Sequence, residues 1–143
     1  MEPVPGLEPE VTPESRLRGL GLELPGRPPE PIGNFRNVIR VDKLLYVSGQ
    51  GPVTADGRIM TGKVGRTVGT EEARDHARLV GLNILAAVRW ELGDLSRIKR
   101  VVKVFGMVNA TEDFADHPVV INGCSDLLCA VLALLIIPRV FPL

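Results

Sequence analysis

Aromatic side chains are scarce in this chain of 143 residues: one Trp, one Tyr and four Phe. So few rings argue against a surface that stacks unpaired bases, where successive aromatics alternate with basic residues. Net charge is missing as well. Seventeen Lys and Arg offset seventeen Asp and Glu, so no overall field draws in nucleic acid or an anionic membrane. Histidine occurs twice, at His76 and His117, and cysteine twice, at Cys124 and Cys129. Two thiols without a nearby pair of histidines do not make a zinc site. The two cysteines lie five apart on an expected helix, more than about 100° apart around its axis, so a mutual disulfide is not expected and buried small apolar residues are the better reading. There is no Ser-His-Asp arrangement and no Gly-rich phosphate loop. No apolar run reaches the roughly 20 residues of a bilayer span; residues 127–137 form a run of eleven. The opening residues, Met1-Glu2-Pro3-Val4-Pro5, lack the basic segment and apolar run of a secretory signal. A cytoplasmic location is therefore expected.

What is present suits one domain with a real core. Eight of the twelve prolines fall within residues 1–31. Residues 1–11 read as a flexible tail and residues 12–143 as a single domain. Thr12, Pro13 and Glu14 open a short helix with Leu17 and Leu20 on its apolar edge, which Gly21 ends, and a proline-rich connector follows. Strands are expected at residues 35–41 and 44–49, then a hairpin at residues 52–60 turning on Asp56-Gly57. Thr70 reads as the cap of a long helix that Gly93 stops, with Ala73, Ala77, Val80, Ile84, Ala87 and Val88 at helical spacing. His76 is placed on its exposed side. Asp94 caps a short turn, and residues 97–109 alternate as a strand. Its basic cluster, Arg97, Lys99, Arg100 and Lys103, reads as a solvated strand end. Asp113 and Pro118 open a second helix reaching about Leu132, with His117 as a helix-start residue. The order of elements gives an α+β sandwich: a mixed β-sheet with two helices on one face.

The most informative stretch is Leu44-Leu45-Tyr46-Val47-Ser48-Gly49-Gln50, a strand that ends in small and amide residues before Pro52. Glycine admits a ligand or another backbone, and Ser and Gln offer groups that bond a carboxylate or carbonyl. Gly49 also reads as a bulge, and Gln50 as a loop cap.

Together with residues 32–41 upstream, the hairpin, Gly62-Lys63-Val64-Gly65, Asn83-Ile84 and residues 101–105 downstream, and the block Val120-Ile121-Asn122-Gly123-Cys124-Ser125-Asp126, the chain resembles the YjgF/Rid family, also described as L-PSP endoribonuclease-like proteins. The resemblance covers roughly residues 12–128. It implies a chorismate-mutase-like fold and a homotrimer with ligand clefts between subunits. It also implies hydrolysis of reactive enamine or imine intermediates to 2-keto acids and ammonia, with no metal or organic cofactor. The ligand implied is a small carboxylate or imine, not a membrane, and the composition disfavours nucleic acid. Arg139, after Pro138, is the residue that would hold the substrate carboxylate in an arginine fork. Ser48, Gly49 and Gln50 match the family strand end, Phe35 stands where many members carry a tyrosine, and Asn109 and Asn122 are polar residues near element ends. The chain departs from the family beyond residue 128: it has no Asp or Glu after Asp126, and a final acidic strand is expected to be missing. A non-catalytic trimeric ligand-binding module and an endoribonuclease or translation inhibitor stand as the alternatives.

Overall fold

The structure is a computed structural model that describes residues 10–133. Arg139, residues 134–138 of the apolar run and its continuation, and most of the expected N-terminal tail lie outside the described residues.

Helix α1 spans Pro13–Gly19. Thr12 and Ser15 exchange hydrogen bonds between side chain and backbone, a reciprocal cap that satisfies two otherwise free helix-start amides. The chain turns away at Gly21, whose φ of +67° suits glycine. After the connector, β1 (Val38–Val41) pairs antiparallel with β2 (Leu44–Val47) in the register Val38↔Val47, Ile39↔Tyr46, Arg40↔Leu45 and Val41↔Leu44. The expected hairpin at residues 52–60 forms, joined by a single antiparallel bridge between Val53 and Ile59.

Helix α2 spans Thr70–Leu92 and α3 spans His117–Leu132. The two pack side by side and bury a shared core of Leu85, Ala86, Val88, Val120, Leu127, Leu128 and Val131. Glycines set how closely they approach. A methyl group on Gly81 would come within 2.9 Å of the Leu127 side chain, and one on Gly123 within 2.1 Å of the Arg74 carbonyl oxygen. The α1 helix lies against α3, where Arg16 donates to the Val131 carbonyl at 3.0 Å. Arg89 of α2 donates to both Glu14 and the Pro25 carbonyl, which fastens α1 and the connector to the helical layer.

Several local expectations are corrected. Gly69, not Thr70, caps α2, because its extended backbone turns the chain into the helix and Thr70 is already helical. Asp116, not Asp113, caps α3; Asp113 sits inside a turn closed by Phe114 N–H on the Thr111 carbonyl. Strand β1 starts at Val38 rather than residue 35, since Phe35 N–H is taken by the Gly33 carbonyl in a tight turn. β2 ends at Val47, before Gly49, so no bulge forms there. His76 is half-buried rather than solvated, with its Nε2 3.8 Å from Glu72. Residues 98–109 form no ladder among the described residues. Gly106 lies against the Ile121 side chain of α3, and the strand-like bonds of this segment come at its end. There, Val64 N–H donates to Asn109 and Thr111 N–H donates to Val64. Alternating residues recorded a two-sided segment, but a strand also needs a neighbour for its amides.

The sheet sits beneath the helices with Val38, Leu45 and Val47 turned toward the core. The other face of the same ladder carries Ile39, Val41, Leu44 and Tyr46, each 46–59% exposed. An antiparallel strand pair with the helical layer packed against it through α2 makes this an α+β sandwich, as expected.

Candidate functional site

The end of β2 is tied inward by a polar network. Backbone pairing continues one step past the strand, with Ser48 N–H donating to the Asn37 carbonyl at 2.9 Å. Ser48 Oγ donates to the Arg36 carbonyl. Gln50 Nε2 donates to Asn37 Oδ1 at 3.1 Å and to the Ser48 carbonyl at 3.3 Å. Asn37 Nδ2 in turn donates to the Pro29 carbonyl at 2.8 Å. The Gln50 amide therefore does not merely cap a loop: it locks the strand end to the proline connector. Both of its protons are committed, which leaves Oε1 as an acceptor, while Ser48 Oγ keeps its lone pairs. Gly49 is exposed, and no atom lies within 4 Å of where its Cβ would be. This is an accessible wall with two acceptors beside a bare backbone.

The remaining expected residues do not converge on it. Asn109 Nδ2 donates to the Gly62 carbonyl at 2.8 Å and holds the 62–68 loop. Asn122 is exposed on α3. Phe35 is 43% exposed and its ring lies against Gly33. Arg139 lies outside the described residues. No hydrogen bond among the described residues links Asn109, Asn122 or Phe35 to Ser48 or Gln50.

None of these residues lines either of two open clefts among the described residues. One, of about 340 Å³, lies on the outer side of the helices, with Arg74 and Asp126 forming an ion pair at 2.9 Å in its wall. The other, of about 330 Å³, lies between the proline connector and the 53–59 hairpin, with Asn83 among its lining residues.

Asn83 is the functional-grade residue that sequence reasoning passed over. It is 1% exposed, and its Nδ2 donates to the Gly51 carbonyl at 3.2 Å and the Val53 carbonyl at 2.9 Å. It thereby pins the segment that follows Ser48-Gly49-Gln50 onto α2. Its Oδ1 is buried with no hydrogen-bond partner among the described residues. The signal was available: Asn83 falls three residues after Val80 and four before Ala87, on the apolar stripe of α2. A polar residue on that stripe needs partners.

Electrostatics around these features are mild. A hydrogen bond from the Thr54 hydroxyl, helped by Arg58, holds the Asp56 carboxyl at the hairpin tip below its ordinary pKa. Asp94 is lowered by the Ser96 amide that it caps. Burial pushes the Cys124 thiol up; it and Cys129 are both free thiols. Among the described residues, no helix is long and apolar enough to cross a membrane.

Comparison with known proteins agrees with this geometry. Residues 14–135 match the model of the family described as "YjgF/chorismate mutase-like, putative endoribonuclease". The chain is 36% identical over 117 residues to Protein TCP17 of Trypanosoma cruzi, covering 82% of this chain and 72% of that protein. It is similar in structure to a crystal structure titled as a "putative endoribonuclease" from Shewanella oneidensis. That match has a TM-score of 0.81 and 35% identity, and covers 85% of this chain and 80% of the other. It is also similar to Atu1372 of Agrobacterium tumefaciens, described as of unknown function, with a TM-score of 0.76 and 42% identity over 85% of this chain and 74% of that one. With the helices, the sheet and the Ser48-Gly49-Gln50 strand end in place, this chain belongs to the YjgF/chorismate-mutase-like family.

Proposed function

We propose that this chain hydrolyses reactive enamine or imine intermediates to 2-keto acids and ammonia, as a homotrimer whose ligand clefts lie between subunits. The carrying observation is the unfinished outer face of the β1–β2 ladder. Ile39, Val41, Leu44 and Tyr46 form an apolar patch on it, and Ser48-Gly49-Gln50 stands at the strand end. A contiguous exposed apolar face marks an interaction surface. A second subunit covering it would enclose the acceptors of Ser48 and Gln50, which belong to neither cleft of the single chain.

The reaction needs little machinery. Water adds across the C=N bond, its oxygen to carbon and a proton to nitrogen; the C–N bond then breaks, leaving a keto group and ammonia with no change of redox state. Gln50 Oε1 and Ser48 Oγ are the acceptors that would orient a water or a ligand N–H in this reading. Arg139 is assigned the substrate carboxylate. The non-catalytic trimeric binding module is the second reading, and Phe35 favours it: its ring supplies no hydroxyl to order water at a position where many family members carry tyrosine. The endoribonuclease description of the relatives fits less well with balanced charge and with a basic segment whose one exposed ring is Phe105, 6.0 Å from Lys103 Nζ.

The test is turnover of 2-iminobutyrate, generated in place and followed as 2-ketobutyrate and ammonia, for the full chain and for Arg139→Ala. Accelerated hydrolysis lost in the variant supports the enzyme. Saturable 2-ketobutyrate binding lost in the variant, without turnover, leaves the binding module. Neither binding nor turnover removes both readings.

A further inference from the structure

We propose that the cleft between the proline connector and the 53–59 hairpin is a second binding site, for a small and mainly apolar ring that carries one hydrogen-bond donor, a phenol in its simplest form. This inference goes beyond the imine chemistry and uses none of its residues.

Three observations converge on it. The cleft has a volume of about 330 Å³, within the range of small-molecule sites. Its walls are mainly aliphatic: Pro25, Pro28 and Pro29 on one side, Val53, Ala55 and Ile59 on the other. Stiff proline rings facing aliphatic side chains suit a planar apolar guest, while Arg27, Glu30 and Thr54 add polar groups to the lining. Asn83 also lines the cleft, 1% exposed, with a buried Oδ1 that has no hydrogen-bond partner among the described residues.

The orientation of that amide is fixed by its neighbours. Both Nδ2 protons are given to carbonyls, those of Gly51 and Val53, so the side chain cannot flip without placing oxygen against oxygen. The atom left over is an acceptor, and only a donor satisfies it. A buried acceptor left unpaired costs about 1–3 kcal/mol, so a guest with an O–H or N–H gains over one without. The walls are held in place from outside the cleft. Arg89 grips the Pro25 carbonyl, Asn37 grips the Pro29 carbonyl, and the Arg27 guanidinium lies 5.2 Å from the Trp90 ring centroid. A site with walls fixed before binding loses less on ordering.

The test compares two probes of nearly equal shape on the full-length ¹⁵N-labelled chain: p-cresol, which has the donor, and toluene, which lacks it. Saturable shifts are expected at the amides of Thr54, Ala55, Gly57 and Ile59, with toluene on the order of tenfold weaker. Asn83 itself is a poor target because its removal frees two backbone carbonyls. Ala55→Leu instead narrows the cleft from an exposed hairpin position and is expected to abolish p-cresol binding while the thermal unfolding midpoint stays unchanged. Equal binding of the two probes, shifts centred away from residues 53–59, binding that survives Ala55→Leu, or no binding up to the solubility limit would each overturn the proposal; in the last case the acceptor serves only a buried water.

Discussion

The helical layer and the sheet layer of this protein are finished to different degrees. At the core of the α2–α3 contact the packing is tight: Gly81 and Gly123 leave no room for a methyl group, and Val131 and Leu85 are 0–1% exposed. The β1–β2 ladder is filled on its helix side only, and its outer face presents Ile39, Val41, Leu44 and Tyr46 to solvent. Both layers carry apolar residues, so composition does not separate them. What separates them is that one layer is covered by the described chain itself and the outer sheet face is not. The helical layer holds the protomer together, and the exposed sheet face is the one that the proposed trimer would cover.

That contrast can be broken most decisively on the sheet. Tyr46→Arg is expected to convert a trimer, measured by light scattering after size exclusion, into a species of single-chain mass. The unfolding free energy of that single chain should move by no more than about 0.5 kcal/mol, because the ring is largely exposed within it. A wild-type chain that already runs at single-chain mass would sink the distinction. The reverse experiment belongs to the helices. Gly123→Ala brings a methyl group against the Arg74 carbonyl, which costs about 2–3 kcal/mol for an overfilled contact. The roughly 1 kcal/mol that alanine gains in a helix interior is not enough to offset it. Urea unfolding should show the loss, and a neutral or stabilising result would mean the helices can part freely. The smallest effect sharpens the boundary between the layers. Asp94 caps the turn at Leu95–Arg97, whose Leu95 is fully buried. Its carboxyl is held below the ordinary value by the Ser96 amide, so the folded state binds this proton less readily than the unfolded one. The contribution is complete above the ordinary carboxyl pKa and fades as pH falls through the lowered folded value. The Ser96 amide shift should follow that titration in acid, and Asp94→Asn should abolish it while keeping an acceptor.

Much of the helical layer was readable from residues alone. The stripe Ala73, Ala77, Val80, Ile84, Ala87 and Val88 set the face of α2, and Gly93 ends it in a left-handed cap with a φ of +79°. Thr12 and Pro13 set the start of α1 as expected. Caps at Thr70 and Asp113 were misplaced because a residue type that can cap does so only where the backbone turns, and neighbouring Gly69 and Asp116 hold those positions. The segment at residues 97–109 was read as a strand because alternation reports two faces but not a pairing partner, and Arg97 belongs instead to the turn Leu95–Arg97. The site was legible only as a list of polar groups. Ser48 and Gln50 turn their donors inward to Arg36, Asn37 and Ser48 itself, and no local pattern says where a hydroxyl proton will go. Asn83 shows the opposite case, a residue whose anomaly on an apolar stripe was visible in the sequence but whose partners, Gly51 and Val53, were not.

The bond from Arg16 to the Val131 carbonyl joins positions 115 residues apart. Its consequence lies in the order of events during folding. Helix α1 emerges early in synthesis, yet the surface it docks on, the last turn of α3, is made near the end of the described chain. The early helix of seven residues is too short to persist alone, so it waits as unstructured chain until α2 and α3 have met. Closing so long a loop late is slow. Docking of the N-terminal segment is therefore expected as a separate slow phase, after the helical pair has formed.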